Sequence, residues 1–365
     1  MSDGRESAGM GVRLALRQTG GDGVPARAPR EVSDGRGLVD SHGRVIRDLR
    51  VSITDRCNFR CVYCMDPGVR FAEPSSLMTA EEIVRVARVA ESLGVRKIRL
   101  TGGEPTMRAD LLGIIAGVRA ATSLEIAMIT NGSTVTRERA RAWKHAGLGR
   151  VTVSIDSLRE DRFAAITRCG VAVRAVLESV GVLVEEGLGP VKLNAVLIRG
   201  VNDDEAADLA GLALRMGVEV RFIEYMPLDS ARAWDATKWV SAAETKRAIE
   251  ARYELEASGE DEESSTARTY RFAGDSSGAR VGFIAPVSSP FCGACSRLRL
   301  TADGKVRPCL FSTREWDLLG EMRRGAGDAD IAAFLVDAVW AKQAGHGIAA
   351  PGFEQPARPM SAIGG

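Results

Sequence analysis

Cys57, Cys61 and Cys64 fall within the eight residues CNFRCVYC, and Cys292, Cys295 and Cys309 form a second group spaced C-x2-C-x13-C. Thiols this dense in a reduced compartment read as metal ligands before disulfides. The number three is informative. A structural zinc site closes with four ligands and a disulfide takes two thiols. A four-iron cluster held by three thiolates leaves one iron open to another molecule. The chain has only three histidines, His42, His145 and His346, so nitrogen ligands are scarce. Around the second group no further C-x2-C pair follows to make a zinc ribbon. Zinc completed by a distant residue and an open iron–sulfur cluster both stand for each triad at this point. The seventh cysteine, Cys169 in TRCGV, is isolated and is assigned no role.

Immediately after Cys295 the sequence reads SRLRL. Arg297 and Arg299 alternate on a strand, so both project to one face. Two guanidiniums beside a metal group make an anion site suited to phosphates. No G-x4-G-K-[ST] segment exists, so a P-loop cannot hold those phosphates. A nucleotide site would have to be assembled from scattered cations, of which Arg50, Arg99 and Lys192 are the candidates.

The elements that must position these residues form a repeating unit. The strands read are LRVSI, KIRLT, EIAMIT, RVTVSI, VKLNAVLI and VEVRFIEY, separated by amphipathic stretches of helical period such as TAEEIVRVARVAESLG. Strands alternating with helices imply a parallel sheet, either an open or partial barrel or a doubly wound sheet. In both, ligands bind at the carboxyl ends of the strands. CNFRCVYC, GGEP, TNG, SID and EYMP all stand at such ends, so the chemistry is expected to converge on one side. Beyond SAAETKRAIEARY the pattern changes to short alternating runs, with a hairpin signal at ADGK. This part is expected to form a smaller layer over the barrel mouth or its open side. SGEDEESSTAR reads as a charged, solvated loop, and residues 1 to about 40 as a flexible arm.

The chain has 365 residues, 45% of them hydrophobic, with 49 basic against 48 acidic side chains and a net charge of +1. Such a balance excludes a global field for nucleic acid or an anionic membrane, so any anion site must be local. The amino-terminal residues lack a signal-peptide core, and no uninterrupted apolar span exists. A soluble, cytoplasmic protein is expected, with no nucleic-acid or membrane partner.

The C-x3-C-x2-C loop with Tyr63 before its last cysteine resembles the signature of the radical S-adenosylmethionine enzymes. That resemblance implies a [4Fe–4S] cluster on Cys57, Cys61 and Cys64, with S-adenosylmethionine chelating its open iron. It also implies contacts to S-adenosylmethionine from Tyr63, from Gly103 in GGEP, from Ser154 and from Met226. The two triads together with TGGEP, ITNG, CGACSRLRLTADGKVRPCL and a terminal MSAIGG resemble the GTP 3′,8-cyclase family over residues 44 to 365. The family's fold is an incomplete (β/α)6 barrel, an α/β architecture, with a C-terminal extension carrying a second [4Fe–4S] cluster, here on Cys292, Cys295 and Cys309. The implied division is a flexible arm over 1–43, the radical barrel over 44–255 and an auxiliary-cluster and substrate-binding region over 256–365.

The implied reaction is a lyase reaction, the first step of molybdenum cofactor biosynthesis. A 5′-deoxyadenosyl radical abstracts the 3′ hydrogen of GTP, and the 3′ carbon attacks C8 of guanine. Arg50, Arg99, Thr130, Lys192, Arg297, Leu298 and Arg299 would hold GTP, and the tail glycines Gly364 and Gly365 would reach the active site. Implied partners are cyclic pyranopterin monophosphate synthase downstream, an unidentified electron donor and a second copy in a homodimer. The acidic insertion around residues 258 to 265 departs from the family and is expected to touch no motif. Two other readings are a radical enzyme that modifies a peptide and a non-catalytic zinc-binding interaction protein.

Overall fold

A computed structural model describes residues 37–228, 234–348 and 350–364. Most of the expected arm, residues 1–36, and the last glycine, Gly365, lie outside them. The strands in chain order are β1 (Asp48–Ser52), β2 (Lys97–Thr101), β3 (Glu125–Thr130), β4 (Arg150–Ser154), β5 (Lys192–Leu197), β6 (Glu219–Glu224), β7 (Leu255–Ala257), β8 (Arg268–Phe272), β9 (Arg280–Ile284), β10 (Arg297–Leu300), β11 (Lys305–Arg307) and β12 (Trp316–Asp317). The helices are α1 (Ala80–Ser92), α2 (Leu111–Ala121), α3 (Arg137–Ala146), α4 (Glu160–Thr167), α5 (Val173–Glu185), α6 (Ala206–Met216), α7 (Ala242–Glu250), α8 (Leu318–Arg323), α9 (Asp328–Trp340) and α10 (Met360–Ile363).

All twelve strands belong to one sheet, in the order β12-β11-β10-β1-β2-β3-β4-β5-β6-β9-β8-β7. The six βα units expected from the sequence are its centre. The carboxyl-terminal segment does not form a separate covering layer: it extends the sheet at both edges. β10 pairs parallel with β1 and β9 pairs parallel with β6. Antiparallel β11–β12 and β8–β7 then finish the two edges. The sheet is open, since β12 and β7 do not meet. α4 was not expected; its polar EDR start gave only a weak periodic signal.

Strand alternation explains why this curved sheet can surround chemistry. Parallel strands covered on both faces are ordinarily apolar throughout. Here Leu49, Ile98, Leu100, Leu193, Val220, Leu298 and Leu300 are buried on the helix-covered face. Their neighbours Arg50, Lys97, Arg99, Lys192, Asn194, Arg221, Arg297 and Arg299 line the enclosed face. The outer helices start where side chains replace missing backbone partners. At α1, Thr79 accepts from the Glu82 backbone N–H at 3.2 Å and the Glu82 carboxylate accepts from the Thr79 N–H at 2.8 Å. α1 then buries Ile83, Val86 and Val89 against the sheet, each worth roughly 1.5–3 kcal/mol. Among the described residues no helix is long and apolar enough to cross a membrane.

Candidate active site

The enclosed face surrounds a cavity of about 590 Å³ lined by all six clustered cysteines. The two triads do not sit at the same end of it. The Cys57–Cys64 loop follows the carboxyl end of β1. Cys292 and Cys295 precede the amino end of β10, which runs parallel to β1 with Arg50 opposite Arg299. β11 is antiparallel to β10 and returns the chain to that same end at Cys309. The triads therefore bracket the cavity along the strand direction, while the strand-end motifs CNFRCVYC, GGEP, TNG, SID and EYMP converge on the first triad's side of it, as expected. No three His, Cys, Asp or Glu side chains among the described residues converge on a single-ion site. Three thiols in each triad, with no fourth cysteine beside them, fit a four-iron cluster that keeps one open iron.

Close backbone packing shapes the first triad. Gly103 and Glu104 donate backbone N–H groups to the carbonyls of Thr54 (2.8 Å) and Arg56 (2.7 Å). A Cβ on Gly102 would sit 2.4 Å from the Thr54 carbonyl, and one on Gly103 2.4 Å from that of Arg56. The glycine pair thus lets GGEP lie against the cysteine loop. Buried Glu104 ties this region together, accepting from Thr130 Oγ1 (2.6 Å), Thr106 Oγ1 (2.6 Å) and the Asn131 N–H (2.6 Å). Thr130 lines the cavity, but its hydroxyl proton is directed to Glu104. Tyr63 donates to Asp156 at 2.7 Å, and Asp156 also accepts from the Val196 N–H at 2.8 Å. Burial lifts Asp156 to about 6. It also pushes the thiols of Cys57 and Cys64 up to about 11 and 12, so metal uptake here must release protons.

The second triad lies in a cationic setting. Arg297 donates to Cys295 Sγ at 3.3 Å and stacks over Phe291 at 4.6 Å. Burial pushes the Cys295 thiol up, but Arg297 and Lys342 outweigh it and hold it down at about 6. The thiolate, the form that can ligate a metal, is thus favoured at this position. His346 lines the cavity beside Cys292, with its Nδ1 accepting from the Ile348 N–H at 3.2 Å.

Between the triads runs a row of cations. Arg299, Arg50 and Arg99 are direct cross-strand neighbours on β10, β1 and β2. Like charges directly opposite one another destabilise a sheet, so the row signals an anion that is meant to lie over it. Burial, with the other arginines nearby, holds Arg99 and Arg299 down at about 10 and lowers Arg50 as well. Lys192 is lowered to about 8 by burial and by Arg221, even though Glu219 pairs with it at 2.7 Å.

Ser154, Met226, Tyr63 and Gly103 line the same cavity. Leu298 points away from it into the apolar core, so only its backbone can meet a ligand. Sequence reasoning missed Lys97, Arg150, Asn194, Arg221 and Lys342, which also line it. The available signal for Lys97, Arg150 and Arg221 was a charged residue alternating with apolar ones on strands that otherwise read as buried, whereas Lys342, beyond α9, carried no such signal.

The tail reaches this site from the carboxyl ends of β1 and β2. The Gly364 carbonyl accepts from Arg299. Gly364 is buried with φ 80°, and a Cβ there would lie 2.5 Å from Thr101 Oγ1 and 3.3 Å from Ser52 Cβ. The acidic insertion does not stand clear of the motifs. Glu260, Asp261 and Glu262 line the cavity, Glu260 pairs with Arg280 at 2.7 Å, and Asp261 accepts from Thr269 Oγ1 at 2.7 Å. A carboxylate run reads as solvated until cations are placed opposite it.

Residues 51–213 match the Radical SAM superfamily, and residues 218–348 match Molybdenum Cofactor Synthesis C. A GTP 3′,8-cyclase of Streptomyces coelicolor is 47% identical over 330 residues, 90% of this chain and 96% of the relative. That of Paenarthrobacter nicotinovorans is 44% identical over 355 residues, 93% of this chain and 99% of the relative. The crystal structure of Streptococcus suis SuiB bound to S-adenosylmethionine matches with a TM-score of 0.56 at 14% identity. It covers 76% of this chain, which spans 64% of SuiB, and the likeness is one of fold.

Proposed function

The chain belongs to the GTP 3′,8-cyclase family, and on that premise we propose how its cavity performs the cyclisation. The enzyme is a radical S-adenosylmethionine lyase of molybdenum cofactor biosynthesis. The observation that carries the reading is one cavity bracketed by two cysteine triads, with a row of arginines between them.

A [4Fe–4S] cluster on Cys57, Cys61 and Cys64 supplies, when bound, the electron that cleaves S-adenosylmethionine to a 5′-deoxyadenosyl radical. Gly103, Tyr63, Ser154 and Met226 hold that cofactor at the carboxyl ends of the strands. Arg50, Arg99, Arg299 and Lys192 neutralise the GTP triphosphate, and Thr130, whose hydroxyl proton goes to Glu104, contacts GTP elsewhere than at its phosphates. Cys292, Cys295 and Cys309 hold a second cluster at the far end, with Arg297 and the backbone of Leu298 beside the substrate. The 3′ hydrogen of GTP passes to the adenosyl carbon, the 3′ carbon radical closes on C8 of guanine, and one electron with one proton taken up at the resulting N7 radical gives 3′,8-cyclo-7,8-dihydro-GTP. Gly364 and Gly365 fix the substrate where those atoms meet, because a radical carbon reacts with its nearest neighbour.

In this reading residues 44–255 carry the radical chemistry and 256–365 the second cluster and most of the substrate site, with 1–43 an arm outside both. The enzyme works in the cytoplasm as a homodimer, draws on a one-electron donor and passes its product to cyclic pyranopterin monophosphate synthase. It binds neither nucleic acid nor membrane. Chromatography of anaerobic turnovers with GTP and S-adenosylmethionine tests the reading. Cyclised GTP with 5′-deoxyadenosine, from protein holding iron and acid-labile sulfide, is the expected result. Protein holding zinc alone, with no 5′-deoxyadenosine, would overturn it.

Two predictions test the substrate site. Arg99→Ala should weaken GTP by roughly 10- to 100-fold, as expected for one charge-assisted contact of about 1.5–3 kcal/mol, and leave guanosine nearly unchanged. Equal losses for both ligands would remove Arg99 from the phosphates. Lys192 carries its charge below about 8 and loses it above. GTP affinity, measured by equilibrium dialysis, should therefore fall between pH 7 and pH 9, and Lys192→Arg should flatten that fall. Separately, Cys295→Ala should abolish cyclisation while retaining uncoupled S-adenosylmethionine cleavage. Unchanged GTP binding in that variant would exclude a substrate contact to the second cluster.

A further inference from the structure

Lys342, just beyond α9, is 3% exposed, and a buried ammonium needs strong compensation. Its Nζ donates to the Arg297 carbonyl at 2.7 Å and to the Pro308 carbonyl. Arg297 stands two residues after Cys295, and Pro308 immediately precedes Cys309. Buried Arg44 holds the third limb: its Nη1 donates to the Cys292 carbonyl at 2.8 Å and to that of Ala344 at 2.9 Å. Its Nη2 donates to the Gln343 carbonyl at 2.7 Å, and Asp40 fixes Nε at 2.6 Å. The two cations thus meet a backbone carbonyl on each limb that carries a cysteine of the second triad. Lys342 and Arg44 are joined through the adjoining residues 343 and 344.

We propose that Lys342 is a positioning residue that, with Arg44, clamps the three limbs of the Cys292–Cys295–Cys309 triad and raises the reduction potential of the metal group they hold. This rests on the reading of that triad as a cluster site. Reduction adds one negative charge, and a fixed ammonium beside the cluster favours that more negative form. Net charge and hydrogen bonding around iron–sulfur clusters are known determinants of potential. The hydrogen bonds of Lys342 go to backbone carbonyls rather than to a carboxylate. The first triad differs in having the carboxyl groups of Glu104 and Asp156 buried beside it, although Arg60 donates to the Cys57 carbonyl at 2.7 Å.

The test compares full-length anaerobic wild type, Lys342→Arg and Lys342→Met by iron and sulfide content and by potentiometric titration followed by electron paramagnetic resonance. Lys342→Arg keeps charge and donors and should retain both clusters near the wild-type potentials. Lys342→Met should either lose the iron of the second triad alone or keep it at a lower potential. In both cases the first cluster and dithionite-driven S-adenosylmethionine cleavage should be unchanged. A full iron complement with an unshifted second potential in Lys342→Met would overturn the proposal. Loss of iron from both triads would do the same, since the clamp would then be a global support. Wild-type protein with iron at the first triad only would defeat the cluster reading itself, whatever the variants do.

Discussion

Cys57→Ala is expected to abolish reductive cleavage of S-adenosylmethionine while leaving the protein folded, and Cys61→Ala and Cys64→Ala should behave alike. The expected loss is to background, because the acceleration that an enzyme supplies is typically about 10⁶-fold or more. Without all three thiolates there is no held cluster and no electron for the sulfonium. The cost to the fold is small by comparison. Cys57 Sγ accepts from the Phe59 N–H at 3.3 Å and sits 4.0 Å from Asn131 Nδ2. Losing such contacts costs about 1 kcal/mol. Thermal unfolding near that of the metal-free wild type, with no 5′-deoxyadenosine formed, is the expected pair of results. Normal 5′-deoxyadenosine from any of these variants would end the radical assignment.

Gly364→Ala is expected to stop cyclisation and spare cleavage, a separation that few single substitutions could produce. Its φ of 80° disfavours any side chain. The added methyl would also lie 2.5 Å from Thr101 Oγ1, on a strand end that cannot retreat. The tail must shift, and the Gly364 carbonyl then leaves Arg299. Displacing a reacting group by about 1 Å costs on the order of 10²-fold, so cyclised GTP should fall by about that factor. Deleting Gly364 and Gly365 should do the same. The measurement is the ratio of cyclised GTP to 5′-deoxyadenosine in anaerobic turnovers. An unchanged ratio for both variants would make the tail a loose end.

The legible part of this protein was local. Six βα units could be read because KIRLT and EIAMIT alternate with helical periods, and a period is a property of neighbouring residues. Both triads could be singled out because each set of thiols lies close in the chain, and the fold brings all six to one cavity. Even the hairpin at ADGK declared itself through turn chemistry. Locally, Arg50 and Arg99 could be named only as scattered candidate cations. They and Arg299 become a row only when β10 pairs with β1 and β1 with β2, placing like charges side by side.

The same pairing decided where the second triad lies. The chain order gives Cys295 only as a residue before a strand. Parallel pairing of β10 with β1 puts it at the amino end, across the cavity from Cys57. The acidic insertion changed its meaning for a similar reason, since Glu260 has a partner only once β9 brings Arg280 beneath it. Residue type and spacing therefore determined the chemistry available to this chain. Which charges face one another across the cavity depends on contacts such as that of Arg50 with Arg299, far apart in the chain, and only strand pairing in the folded sheet sets those.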